Sequence, residues 1–159
     1  DKYPSSLEFL IGQAARGRGI PMVNPIADLV TAVSLKYLVP MDAYDMDALE
    51  ERLDVRFSEN GDVFIPFGGE QQEDVEPGEI VYASGHKVKM RKWIWRRSDD
   101  AKVRRSSTRL IIPIDGFEGI NRDRVLAARD EVAGYLENSF GGSVATGYIN
   151  YAQNAVTTE

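Results

Sequence analysis

Apolar residues recur at helical spacing in three stretches of the chain, and the period shortens to two between them. From Ser5 to Arg16, Leu7, Leu10, Ile11 and Ala14 form one stripe. Ser5 and Glu8 match a capping box and Gly17 and Gly19 end the run, predicting a helix. A second helix is predicted after Asn24, a good N-cap, with Pro25 at its first position. Its buried face is Ile26, Leu29, Val30, Val33 and Tyr37, and Pro40 stops it. Asp45 is placed to cap a short third helix over 46–52. Val55 and Phe57, the Asn60-Gly61 turn and Val63 to Phe67 then predict a hairpin. A strand is predicted at Glu79 to Ala83, a second from Lys87 to Arg97, and a third at Leu110 to Ile114. A last helix, Arg122 to Ser139, follows the cap residue Asn121, carries Val125, Ala128, Val132, Tyr135 and Leu136 as its stripe, and closes at Gly141-Gly142. Helices, then strands, then a helix argue for an α+β fold with a mixed or largely antiparallel sheet. A single domain over 1–142 with a tail at 143–159 is expected.

Charge changes this picture at one place. Of the 19 Lys and Arg residues, ten lie between His86 and Arg109, where only Asp99 and Asp100 oppose them. That segment carries +8 and the remainder −14, giving the net −6. Alternation along the 87–97 strand puts Lys87, Lys89, Arg91, Trp93, Trp95 and Arg97 on one face and Val88, Met90 and Ile94 on the other. Cations interleaved with tryptophan suit nucleobases and a sugar-phosphate backbone. The competing explanation is an edge strand that uses Lys and Arg against aggregation.

Composition narrows the chemistry. With no cysteine there are no disulfides, thiol nucleophiles or zinc–thiolate clusters. No apolar run approaches the roughly 20 residues of a membrane span, and no secretory leader is recognisable. A cytoplasmic protein without membrane contact is expected. The chain begins with Asp1, so whether residues precede it stays open. His86 is the sole histidine, and no Ser is tied to it by spacing, which disfavours a Ser-His-Asp triad. The glycines do not form a phosphate-cradling motif. Asp42, Asp45, Asp47 and Glu50 lack the calcium-loop pattern, so neither metal nor cofactor is expected.

Two runs carry a resemblance: Asn24-Pro25-Ile26-Ala27-Asp28, and Pro40-Met41-Asp42-Ala43-Tyr44-Asp45. With Leu53-Asp54-Val55-Arg56, Gly68-Gly69-Glu70, Glu79 to Ala83 and Thr108 to Ile112 in order, the chain resembles the tRNA-editing domain of the phenylalanyl-tRNA synthetase β-subunit. The likeness covers about residues 20 to 115. Trp93 to Ser98 and the Pro4-Ser5-Ser6 opening are more similar to freestanding relatives that edit in trans. The resemblance implies a deacylase that clears a wrong amino acid from mischarged tRNA. On that reading Lys87, Lys89, Arg91, Arg96 and Arg97 hold acceptor phosphates and Trp93 or Trp95 stacks on a base. Asp42, Ser107 and Thr108 are then the candidate catalytic residues, and Asn24 and Asp28 support the pocket. Where the family has a His, this chain has Asp42, and Arg96 and Arg97 replace acidic residues. A carboxylate at that point favours a cationic side chain, such as arginine or its analogue canavanine. The alternatives are a tRNA- or synthetase-binding module without activity and a small-molecule binding domain. A homo-oligomer stays open.

Overall fold

Ser5 accepts a hydrogen bond from the Glu8 amide while the Glu8 carboxylate accepts one from the Ser5 amide, so a complete capping box opens α1 (Ser6–Ala15). The computed structural model describes residues 2–158. Asn24 caps α2 (Pro25–Tyr37) through the Ala27 amide, and Leu38 ends the helix in the left-handed region. The strands are β1 (Tyr44–Asp45), β2 (Asp54–Phe57), β3 (Val63–Phe64), β4 (Glu73–Asp74), β5 (Ile80–Ser84), β6 (Lys87–Arg91), β7 (Arg96–Arg97) and β8 (Leu110–Ile111). The long helix α3 (Arg122–Phe140) follows and stops at Gly141, whose φ of 68° suits a residue without a Cβ. No further helix or strand occurs beyond it among the described residues, and Tyr148 anchors that segment by donating to Glu118.

The architecture is α+β. α2 packs on α3, and Val30, Val33, Ala128 and Val132 share one core with Val39, Met41, Ala43 and Val103. The larger sheet runs in the order β2-β5-β6-β3-β4, with β7 also on β6. All its pairings are antiparallel except β3 with β6. Phe64, Val75, Val81, Ala83 and Val88 form a second core beneath it. β1 and β8 make a small separate sheet, extended by a bridge between Met41 and Ile114.

Three expectations need correction. The predicted hairpin over 55–67 does not form. Gly61 does turn the chain, at φ 90°, but β2 pairs with β5 while β3 pairs with β4 and β6. The predicted helix over 46–52 is reduced to one 3₁₀ turn, Met46–Ala48, which Asp45 caps through the Asp47 amide.

The third correction shapes the site. The 87–97 segment is two strands with a turn between them, and β6 contains a register shift against β5. Ala83 pairs with Val88 but Tyr82 pairs with Met90, so Lys89 is an extra residue. Such a bulge reverses the facing of everything beyond it. Val88 therefore joins the lower core with Ala83, while Met90 faces the other way with Tyr82. The turn at Lys92 and Trp93, both at positive φ (47° and 65°), then reverses the chain into β7. Arg97 consequently lies on the Met90 side, and Arg96 with Arg91 over Phe64.

Candidate functional site: a groove ending at Asp42

A groove of about 340 Å³ runs between the helices and the sheet, a size typical of small-molecule sites. Phe9 and Leu10 of α1 form one wall, and Ala27, Val30 and Thr31 of α2 the other. Met90, Trp95 and Arg97 close it from the sheet side, and Asp42 lies at its end. The Asp42 amide donates to the Pro113 carbonyl and the Asp115 amide to that of Pro40, which fixes the Pro40–Asp42 backbone.

Asp42 is the chemical centre of this groove. Its Oδ1 accepts from the Ala43 amide at 2.8 Å and from Arg97 at 3.3 Å. Its Oδ2 is buried without a hydrogen-bond partner, and so is the Tyr44 hydroxyl nearby. Burial raises the Asp42 pKa above the usual carboxylate range, although Arg97, the Ala43 amide and the Tyr44 hydroxyl each pull it down. Behind it lies a second carboxylate, Asp115, which accepts from the Tyr82 hydroxyl at 2.6 Å and from Trp93 Nε1 at 2.7 Å. Burial raises its pKa too, against the two hydrogen bonds, and the charge of Asp42 adds to the rise. A void of about 10 Å³ separates these groups, bounded by Asp42, Tyr44, Tyr82 and Asp115. That is the space of one water. Of the two carboxylates, Asp42 alone is bonded to a guanidinium, that of Arg97, while Asp115 is held by the neutral donors Tyr82 and Trp93.

The structure redistributes the residues singled out from the sequence. Arg97 and Trp95 line the groove with Asp42. Trp93 does not share their face, since its ring packs edge-on against Phe117 and its indole N–H holds Asp115. Lys89 is fully buried, bonded to Asp100 at 2.6 Å and Glu50 at 3.0 Å, and cannot reach an external phosphate. Lys87 pairs with Glu50, Arg91 with Glu79 and Glu73, and Arg96 with Glu73. The +8 segment is therefore largely neutralised by carboxylates brought in from distant sequence. Ser107 lies outside the groove, donating to Asp45 and accepting from the Arg104 amide, and Thr108 is exposed beside it. Asn24 caps α2 and donates to the Val103 carbonyl, and Asp28 accepts from the Val23 amide, as structural supports would. His86 sits away from the groove against the buried Asp62. Burial would raise the Asp62 pKa, but the Arg56 bond, the Glu59 amide and His86 together lower it to about 2. Tyr44, Tyr82 and Asp115 were not singled out from the sequence, because tyrosines in strands read as ordinary core and Asp115 stands in no motif.

The chain belongs to the B3/4 domain family, whose pattern matches residues 1–156. Among its relatives are the phenylalanine–tRNA ligase beta subunits of two Streptococcus thermophilus strains, CNRZ 1066 and ATCC BAA-250 / LMG 18311. Each is 28% identical over 153 aligned residues, which cover 82% of this chain and 19% of the relative. The chain thus spans about one fifth of the length of the curated relatives it matches. The resemblance to the phenylalanyl-tRNA synthetase β-subunit read from the sequence is in this way established as a family relation through the B3/4 domain.

Proposed function

We propose that the groove receives the aminoacyl end of a mischarged tRNA and that the chain hydrolyses the ester in trans. The observation that carries this reading is the groove itself, which ends on a buried carboxylate with one oxygen unpartnered. A buried acceptor without a partner calls for one, and a donor on the incoming substrate would supply it. The chemistry asks little of the protein. A water oxygen adds to the ester carbonyl carbon, the bond to the ribose oxygen breaks, and a proton from that water ends on the ribose oxygen. The protein's part is to hold the ester and orient the water. Asp42 acts by recognising the side chain, Trp95 walls the groove, and Arg97 balances the Asp42 charge. With Asp42 Oδ2 buried and unpartnered, an arginine-type side chain such as that of canavanine is the best-matched occupant. Acting on tRNA, the protein would work in the compartment of translation.

The absence of cysteine and the position of His86 argue for direct water attack without an acyl-enzyme. His86→Ala should therefore keep kcat/KM within about threefold of wild type on a mischarged tRNA. A loss of three orders of magnitude, about 4 kcal/mol of transition-state stabilisation, would replace this mechanism with a histidine-based one. One observation favours the second reading, a binding module without turnover. Arg97 already occupies Asp42 Oδ1. Release of amino acid from any mischarged tRNA, at enzyme well below substrate, decides between the two.

A further inference from the structure

Among the described residues, thirteen Lys and Arg side chains are engaged in ion pairs. Six are not, and four of these six fall in two short segments: Arg16 and Arg18 after α1, and Arg104 and Arg105 after β7. All four are exposed. The two segments both adjoin the groove. Val23, which leads into α2, and Val103 both line it, and the Asn24 side chain bonds the Val103 carbonyl at 3.2 Å. Arg16 and Arg18 are held at the other wall, where their amides donate to the Gln13 carbonyl at the end of α1.

From Asn24 to Ser34 the helix wall extends about 15 Å. Beyond Ser34 the chain turns through Val39, whose carbonyl accepts from the Ser34 hydroxyl, and continues to Asp42. The antiparallel bridge between Tyr44 and Lys102 sets Val103 beside Ala43, so Arg104 and Arg105 follow the Asp42 side of the groove while Arg16 and Arg18 follow its α1 wall. Attraction to the α1 dipole accounts for Arg16 and Arg18 without any ligand. It does not account for Arg104 and Arg105, which follow no helix. In a chain that supplies a carboxylate to nearly every other cation of the 86–109 segment, leaving these two bare is the exception.

We propose that Arg16, Arg18, Arg104 and Arg105 grip the sugar-phosphate backbone of the tRNA acceptor end as it enters the groove. This rests on the reading that the groove takes an aminoacyl-tRNA, and it moves the RNA contact from the 87–97 strands to the groove mouth. Phosphate contacts of this kind set position and add salt dependence, and carry no base readout.

The test is binding of deacylated tRNA across a salt series, with wild type and Arg16→Glu/Arg18→Glu/Arg104→Glu/Arg105→Glu. For a single strand each lost phosphate contact is worth roughly 0.7 in the slope of log K against log salt. The slope should fall by about 3 in the quadruple variant and by about 1.5 in the milder Arg104→Ala/Arg105→Ala. In turnover, the double variant should raise KM and leave kcat within twofold. If wild type binds tRNA and both variants keep its slope, the mouth proposal is wrong while the groove reading survives. Loss of slope in Lys87→Ala/Arg96→Ala in place of the mouth variants would equally overturn it. If wild type binds no tRNA at all, both readings fall together.

Discussion

Replacing Asp100 by alanine should destabilise the fold by about 3 kcal/mol, and adding Lys89→Met should recover part of that loss. Lys89 Nζ is completely buried, and its shortest bond is to Asp100. Its second partner, Glu50, is more than one-third exposed and also serves Lys87. Breaking a buried pair by removing one partner costs about 3–5 kcal/mol, since the remaining charge is stranded away from water. Glu50 stays behind in Asp100→Ala, which puts the expectation at the lower end. Methionine at 89 matches the volume of the lysine stem and removes the stranded charge, so the double variant retains only the loss of the bonds that Asp100 accepts from Ser98 and the Ala101 amide. The same logic makes the pair a poor contributor to net stability when intact. Its value lies in fixing the bulge that turns Met90 and Arg97 toward the groove. Urea denaturation of the two variants measures this. A double variant as unstable as the single would show that the burial of Lys89 has been misread.

Asp42→Asn should lower kcat/KM for an arginine-type aminoacyl-tRNA by about 10- to 150-fold and leave neutral side chains within a few-fold. A charge-assisted hydrogen bond is worth about 1.5–3 kcal/mol. That difference is the stated range of selectivity. The amide keeps the shape of the carboxylate and its bond to the Ala43 amide, so a loss confined to cationic substrates reports on charge. Arg97 sharpens the prediction, because in Asp42→Asn its guanidinium faces the incoming cation uncompensated at 3.3 Å from the former carboxylate oxygen. An unchanged substrate ranking would remove Asp42 from the specificity site.

What the sequence made legible was local. The Ser5–Glu8 capping box, Asn24-Pro25 at the start of α2 and Gly141 at the end of α3 all act over a few residues, and all three helices appear where expected. The α+β class followed from their order. The Asn60-Gly61 turn was also real, yet its flanking strands found other partners, because turn chemistry bends the chain without choosing which strand lies alongside. Alternation failed along 87–97 for two reasons with no compositional mark. A bulge at Lys89 shifted the phase, and Lys92 and Trp93 adopted a left-handed turn that non-glycine residues rarely signal. The charge reading failed through distance. Glu50, Glu73 and Glu79, which neutralise most of the basic strand, are remote in sequence from the cations they meet. Asp42 was recognisable through the family pattern alone. Its companions Tyr44, Tyr82 and Asp115 became a site when the small β1–β8 sheet was set beside β5.

As proposed, the groove that holds Asp42 selects and clears a cationic amino acid from tRNA. Canavanyl-, tyrosyl- and alanyl-tRNA, each incubated with catalytic amounts of the protein and followed for free amino acid, test it most directly. Multiple turnovers are expected, with the canavanyl ester cleaved at least about tenfold faster than the tyrosyl. Cleavage of the tyrosyl ester as the best substrate, or no turnover of any of the three by protein that binds tRNA, would contradict it.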